Sequence, residues 1–111
     1  MAAMFTSVAV ACDIPVTVFF SMNALAPFVA GRAAKPSAEG AFGALLTQEG
    51  VPPFKQLFEQ SVELGDTKLL PCSMAMDVLK IGEEDLDPFF GPPTGLTHFI
   101  SLSENGQILT F

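Results

Sequence analysis

Two short, almost uninterrupted apolar runs constrain this chain most: Val16-Thr17-Val18-Phe19-Phe20 and Thr67-Lys68-Leu69-Leu70-Pro71. Each is rich in β-branched, aromatic or branched aliphatic residues and is bounded by turn-forming residues, which is the pattern of a strand. The near-continuous apolar character of the first suits a strand covered on both faces, as in a parallel sheet with helices on either side. The segments around the runs carry helical rather than alternating spacing. The resulting order is helix, strand, helices, strand, helices, strand. That alternation predicts an α/β fold, a three-layer sandwich with a mostly parallel sheet flanked by helices. At 111 residues the chain makes one domain.

The first helix is expected over Ala2 to Ala11, a run of small and apolar residues in which Met4, Val8 and Ala11 share a face. Pro15 forbids its simple continuation. Ser21-Met22-Asn23 reads as a turn leading into a short helix to Val29. Gly31 to Gly40 is the most loop-like stretch, with Ser37 or Gly40 capping a short helix through Leu46. After the break at Gly50-Val51-Pro52-Pro53, Phe54, Leu57, Phe58, Ser61, Val62 and Leu64 trace one face of an amphipathic helix. Pro53 suits its first turn and Gly65 its C′ position. A further helix runs from Ser73 to Ile81, with Met74, Val78 and Ile81 inward, Met76 and Leu79 beside them, and Gly82 as its stop. Glu83 to Asp87 is an acidic turn, and Pro88 to Gly95 is incompatible with helix. Leu96, Phe99 and Ile100 predict a helix from Thr97 to Asn105, followed by a last strand over Gln107 to Phe111. A hairpin about Asn105-Gly106 is the alternative, but the spacing of those three residues favours the helix.

Composition narrows the partners. Half of the residues are hydrophobic and only 15% are charged, against an average near ~25%. Eleven Phe stand without a single Trp or Tyr. Some apolar surface is therefore expected to be covered by further subunits, which points to a homo-oligomer. Twelve acidic and five basic residues leave a net charge of −7. With no Lys/Arg cluster, nucleic acid and anionic membrane surfaces are disfavoured. Met1 to Gly31 carries one charge, but Asp13, Pro15, Ser21, Asn23 and Pro27 interrupt it, so no membrane span is expected. Two cysteines make no disulfide framework, and no basic residue precedes Arg32 as a secretory leader requires. Both point to the cytoplasm and reduced thiols.

Cys72 is the residue with chemistry to offer. It sits between the second strand pattern and the helix from Ser73, where the first helical N–H groups and the helix dipole favour negative charge and hence the reactive thiolate. The bland alternative is a small buried hydrophobe. Met74 and Met76 flank it and would line a sulfur-accepting pocket or pack in the core, with packing the simpler role for Met74. Ser21 and Asn23 lie at the carboxyl end of the first strand, the edge at which ligands gather in open α/β sheets. Cys12 reads as core packing. His98, the lone histidine, reads as a surface or capping residue, and Asp77 as a solvated one. The acidic turn lacks the spacing of a calcium loop. No glycine-rich phosphate loop is present. No metal or cofactor is expected.

The run Pro71-Cys72-Ser73-Met74-Ala75-Met76-Asp77-Val78-Leu79-Lys80-Ile81, with Glu84-Asp85-Leu86 after it, resembles the cysteine motif of the DsrE/DsrF-like family. Pro15 to Phe20 looks like that family's second strand, Val51 to Gly65 like its middle helix, and Phe99 to Phe111 like its final helix and strand. The resemblance covers nearly the whole chain. It implies a small α/β sulfur carrier, trimeric or hexameric, in which Cys72 accepts sulfane sulfur from a donor protein as a persulfide and passes it to an acceptor protein. It also implies a single DsrE-like domain over 1–111 that lacks the family's N-terminal strand. Pro71 before the cysteine and Gly91-Pro92-Pro93 depart from the family pattern. A non-catalytic scaffold of the same fold, with Cys72 structural, is the competing expectation.

Overall fold

The computed structural model of the chain describes residues 1–29, 40–45 and 50–111. Helix α1 (Ala2–Ala11) leads into strand β1 (Val16–Phe20). Two 3₁₀ turns follow, Met22–Ala24 and Ala26–Phe28, in place of the expected short helix. Then come α2 (Gly40–Leu45), α3 (Phe54–Leu64), β2 (Thr67–Pro71), α4 (Ser73–Leu79), a 3₁₀ turn at Glu83–Asp85 and α5 (Leu96–Leu102). The loop expected from Gly31 and the Ser37 cap lie outside the described residues, as does the end of the helix expected through Leu46.

β1 and β2 form a two-stranded parallel sheet, with Val16 opposite Thr67 and Phe20 opposite Pro71. The segment after Phe90 runs alongside the far edge of β2. Gly91 N–H donates to Leu69 C=O at 2.7 Å, and Thr94 N–H to Pro71 C=O at 2.9 Å. The prolines between them, Pro92 and Pro93, have no N–H to contribute, so the pairing stays partial. The outer edge of β1, which presents the backbone groups of Thr17 and Phe19, has no strand beside it among the described residues.

An aromatic cluster fills the core. Phe28 contacts the rings of Phe20, Phe54, Phe58, Phe89 and Phe90, mostly edge to face, at centroid distances of 4.8 to 6.2 Å. Such pairs favour one arrangement of rings beyond simple burial. Successive strand residues point to opposite faces, and the rings show it. Phe20 packs on Phe58 of α3, whereas Phe19 stacks on Phe99 of α5 at 4.7 Å.

Helix α1 does not use the face expected of it. Ala3, Thr6 and Ala9 are buried, while Val8 is 64% exposed and Ala11 is exposed. The small residues win because they let α1 lie close on α3, its main packing partner. The two buried hydroxyls on these helices are satisfied within their own helix: Thr6 Oγ1 donates to Ala2 C=O at 2.9 Å and Ser61 Oγ to Leu57 C=O at 2.7 Å. Gly65, expected as a left-handed C′ residue, is instead extended (φ −148°). Its lack of a side chain answers a different need, since a Cβ there would collide with Val10 Cγ1.

Helix α4 is also turned from its expected orientation. Ala75 and Met76 are buried, but Met74 is 64% and Val78 74% exposed. The helix is pinned at its start, where Cys72 belongs to the sheet and Ser73 N–H donates to Thr94 C=O at 3.0 Å. That anchor directs the Cys72, Ala75, Met76 row inward, at i, i+3 and i+4. The helix ends at Leu79 rather than Ile81, with Lys80 left-handed (φ 55°) ahead of Gly82. Helix α5 stops at Leu102, short of Asn105, and Gln107 to Phe111 pairs with no strand among the described residues. The expected last strand is therefore not formed. Its Phe111 ring rests 5.9 Å from Phe5 of α1. Among the described residues no helix is long and apolar enough to cross a membrane.

Candidate functional site

Cys72 follows β2 directly and is the N-cap residue of α4, with extended backbone (φ −69°, ψ 120°). Its N–H donates to Phe20 C=O at 2.8 Å, and its C=O accepts from Met76 N–H at 3.0 Å. A bridge to Thr94 holds it from the other side. The cysteine thus stands at the carboxyl end of both strands, the edge where parallel α/β sheets place their ligands.

The thiol is not open to solvent. Cys72 is 6% exposed and belongs to the same buried cluster as Phe20, Leu69, Ala75, Met76 and Leu86. The cradle of free helical N–H groups expected around it is smaller than the sequence implied. Of the first N–H groups, that of Cys72 is taken by Phe20 C=O and that of Ser73 by Thr94 C=O. With seven residues, α4 is about two turns long, so its dipole is short. The exposed thiol is Cys12, at the C-cap of α1. Core packing, expected for Cys12, belongs to Cys72: α1 buries its Ala3, Thr6, Ala9 face and leaves its last residues in water.

The other expected site residues divide. Met76 is 5% exposed and packs in the cluster that holds Cys72. Ser73 contributes its backbone. Met74 points away into solvent. Ser21 follows Phe20, the hydrogen-bond partner of Cys72, so it is near in the chain path, while Asn23 lies exposed in the first 3₁₀ turn. Neither side chain caps that turn. His98 is exposed on α5 and Asp77 is exposed on α4.

Thr94 escaped sequence reasoning. It is 4% exposed, donates from Oγ1 to Pro92 C=O at 3.0 Å, and fixes both Cys72 and Ser73 through its backbone. A signal that could have found it is the Pro92-Pro93 pair, in which each proline fixes its own φ and keeps the residue before it extended, so the chain reaches Thr94 as an extended segment. A shallow hollow of about 310 Å³ lies nearby in sequence, between Glu83, Leu86 and Asp87 on one side and Phe90, Gly91 and Pro92 on the other. Cys72 does not line it. Among the described residues no three His, Cys, Asp or Glu side chains converge as a metal site would need.

No family model matches the chain, and no curated protein matches it.

Proposed function

We propose that this chain is a DsrE/DsrF-like α/β subunit that carries sulfane sulfur on Cys72. The observation that supports the reading is the place of Cys72, at the carboxyl end of the parallel sheet and the start of a helix, within the run from Pro71 to Leu86 that carries the family resemblance. The opposed Phe20–Phe58 and Phe19–Phe99 contacts suit the three-layer architecture of such a carrier. The Cys72 thiolate attacks the outer sulfur of a donor persulfide, R–S–SH. The new Cys72 S–S bond forms as the donor S–S bond breaks, and the donor leaves as its thiolate. An acceptor thiolate then takes the outer sulfur in the same way and returns Cys72 as a thiolate. No net oxidation occurs, and no metal or cofactor enters. Burial sets a condition on this cycle: the packing around Cys72 has to open before a donor reaches the sulfur.

In this reading the protein is cytoplasmic and forms a trimer or hexamer, with separate donor and acceptor proteins. Helix α1 suits the contact between copies. It has no charged residue, and it leaves Phe5 and Val8 exposed.

The burial of Cys72 also favours a second reading, a non-catalytic subunit of the same fold in which the thiol only packs. One experiment separates the two. The intact Cys12→Ala chain is incubated with a persulfide donor and examined by mass spectrometry. The carrier gains one sulfur atom at Cys72 and loses it to an added thiol; a chain that gains none while a known carrier loads is the packing subunit.

A further inference from the structure

The two edges of the sheet differ in how they are guarded. Along β2, Gly91 and Thr94 bond the outward carbonyls of Leu69 and Pro71, with Pro92 and Pro93 between them. The edge of β1 has no such cover among the described residues. Val16 N–H donates to Asp66 C=O at 2.9 Å and Phe20 C=O accepts from Cys72 N–H at 2.8 Å, so both residues bond on the β2 side. In a parallel ladder the alternate residues turn their backbone groups the other way. Thr17, whose side chain is exposed, and Phe19 therefore offer their N–H and C=O groups to the open side. Val16 to Phe20 has no lysine, no proline and no bulge, the devices that keep an edge from pairing with another chain.

Each copy of the chain also carries a segment that matches this edge. Gln107 to Phe111 has the same length as β1, five residues, and its Ile108, Thr110 and Phe111 are strand-forming types. Among the described residues its backbone makes no hydrogen bond and it belongs to no strand. In its own chain the tail leaves β1 unpaired: the Phe111 ring rests 5.9 Å from Phe5 of α1, and Ile108 and Leu109 are more than half exposed. Neither β1 nor the tail has a charged residue. The net charge of −7 is thus kept away from this pair of segments, and no like charges face each other when two copies join through them.

We propose that the outer edge of β1 takes up Gln107–Phe111 of a second copy as a third strand. The backbone groups of Thr17 and Phe19 bond the incoming segment, and its successive side chains fall on opposite faces of the sheet. The receiving edge and the donated tail are different surfaces, so the contact runs head to tail, and each copy gives one tail and accepts one. The inference uses no property of the Cys72 thiol and stands apart from the sulfur reading.

Sedimentation velocity and amide hydrogen exchange of the full chain test this, with two variants. Thr17→Pro removes an outward N–H, a change that an edge strand accommodates. Leu109→Pro breaks the tail as a strand, and because the tail is exposed and unbonded, an unchanged circular dichroism spectrum is expected. The wild-type chain is expected to sediment as an assembly, with the Thr17 and Phe19 amides exchanging at least about tenfold more slowly than in Leu109→Pro. Each variant alone sediments as a monomer. Mixed, the two form a one-to-one complex, in which the Thr17→Pro chain supplies the tail and the Leu109→Pro chain the edge. Should Thr17→Pro fail to fold, Leu109→Pro alone decides, through loss of the assembly together with loss of protection at Thr17 and Phe19. The proposal is overturned when the wild-type chain is a monomer, whether those amides exchange freely or its own tail protects them. It is equally overturned when either variant assembles as the wild type does, since the copies then meet elsewhere, or when the two folded variants do not complement each other.

Discussion

Cys72 and Phe20 are joined by a backbone hydrogen bond of 2.8 Å that closes the end of the two-stranded sheet. The bond ties the cysteine to the aromatic core, because the Phe20 ring lies 4.8 Å from Phe28, 5.2 Å from Phe58 and 5.2 Å from Phe90. Access to the thiol and packing of the core are therefore linked: exposing the sulfur disturbs the neighbourhood that holds the rings.

That linkage makes the two thiols behave differently. In the native chain Cys12 is expected to react with iodoacetamide at least about tenfold faster than Cys72, since the second is reached only through local opening. In concentrated urea the two rates converge. Mass spectrometry of tryptic peptides at timed intervals checks this; equal native rates would show Cys72 to be open.

Phe28 is the hub of the ring cluster, 3% exposed and in contact with five other rings. Phe28→Ala removes all five contacts and leaves a cavity, at a cost of about 3–5 kcal/mol. Against the roughly 5–15 kcal/mol typical of a whole domain, that is a large share of the stability. Urea unfolding followed by circular dichroism measures it.

Gly65 and Val10 meet where the turn after α3 passes α1. Gly65→Ala drives a Cβ into Val10 Cγ1 and is expected to destabilise by about 1–3 kcal/mol. Val10→Ala in the same chain clears the collision and recovers part of the loss. A double-mutant cycle gives a favourable coupling if the collision is the cause; additive losses would place the cause elsewhere.

Lys55 Nζ lies 2.9 Å from Asp87 Oδ2 and 5.7 Å from the centre of the Phe28 ring. Among the described residues the buried carboxylate oxygen has no well-aligned hydrogen bond, and the ion pair is its close contact. Asp87 is held in place by its own N–H, which donates to Phe28 C=O at 3.0 Å. Lys55→Met keeps the apolar stem and removes the charge. It is expected to cost about 1 kcal/mol, the range of a partly exposed pair with a cation–π contact. A smaller loss in high salt than in low salt identifies the electrostatic part, read from urea midpoints at two ionic strengths.

The elements with strong local signals were legible in the amino acids. Val16–Phe20 and Thr67–Pro71 form strands at the expected bounds, and α1 and α3 begin and end where Pro15, Pro53 and Gly65 require. Orientation was less legible. The apolar residues Met74 and Val78 have the spacing of a core face, yet Ala75 and Met76 face inward, because the Ser73–Thr94 bond fixes the helix at its root. Val8 suggested a buried face for α1, yet Ala3 and Ala9 pack, because close approach to α3 favours small side chains. Gln107–Phe111 has strand composition and no strand, since pairing depends on a neighbour that lies elsewhere in the chain.

What the amino acids alone determined is therefore local: which segments extend, which coil, and that a single thiol terminates the second strand. Whether that thiol meets water was decided by side chains drawn from across the chain, Phe20, Phe28, Phe58 and Leu86 among them, that belong with the cysteine to one buried cluster. The physical reason is that backbone preferences act within a few residues, whereas burial is a sum over neighbours that the sequence does not place side by side.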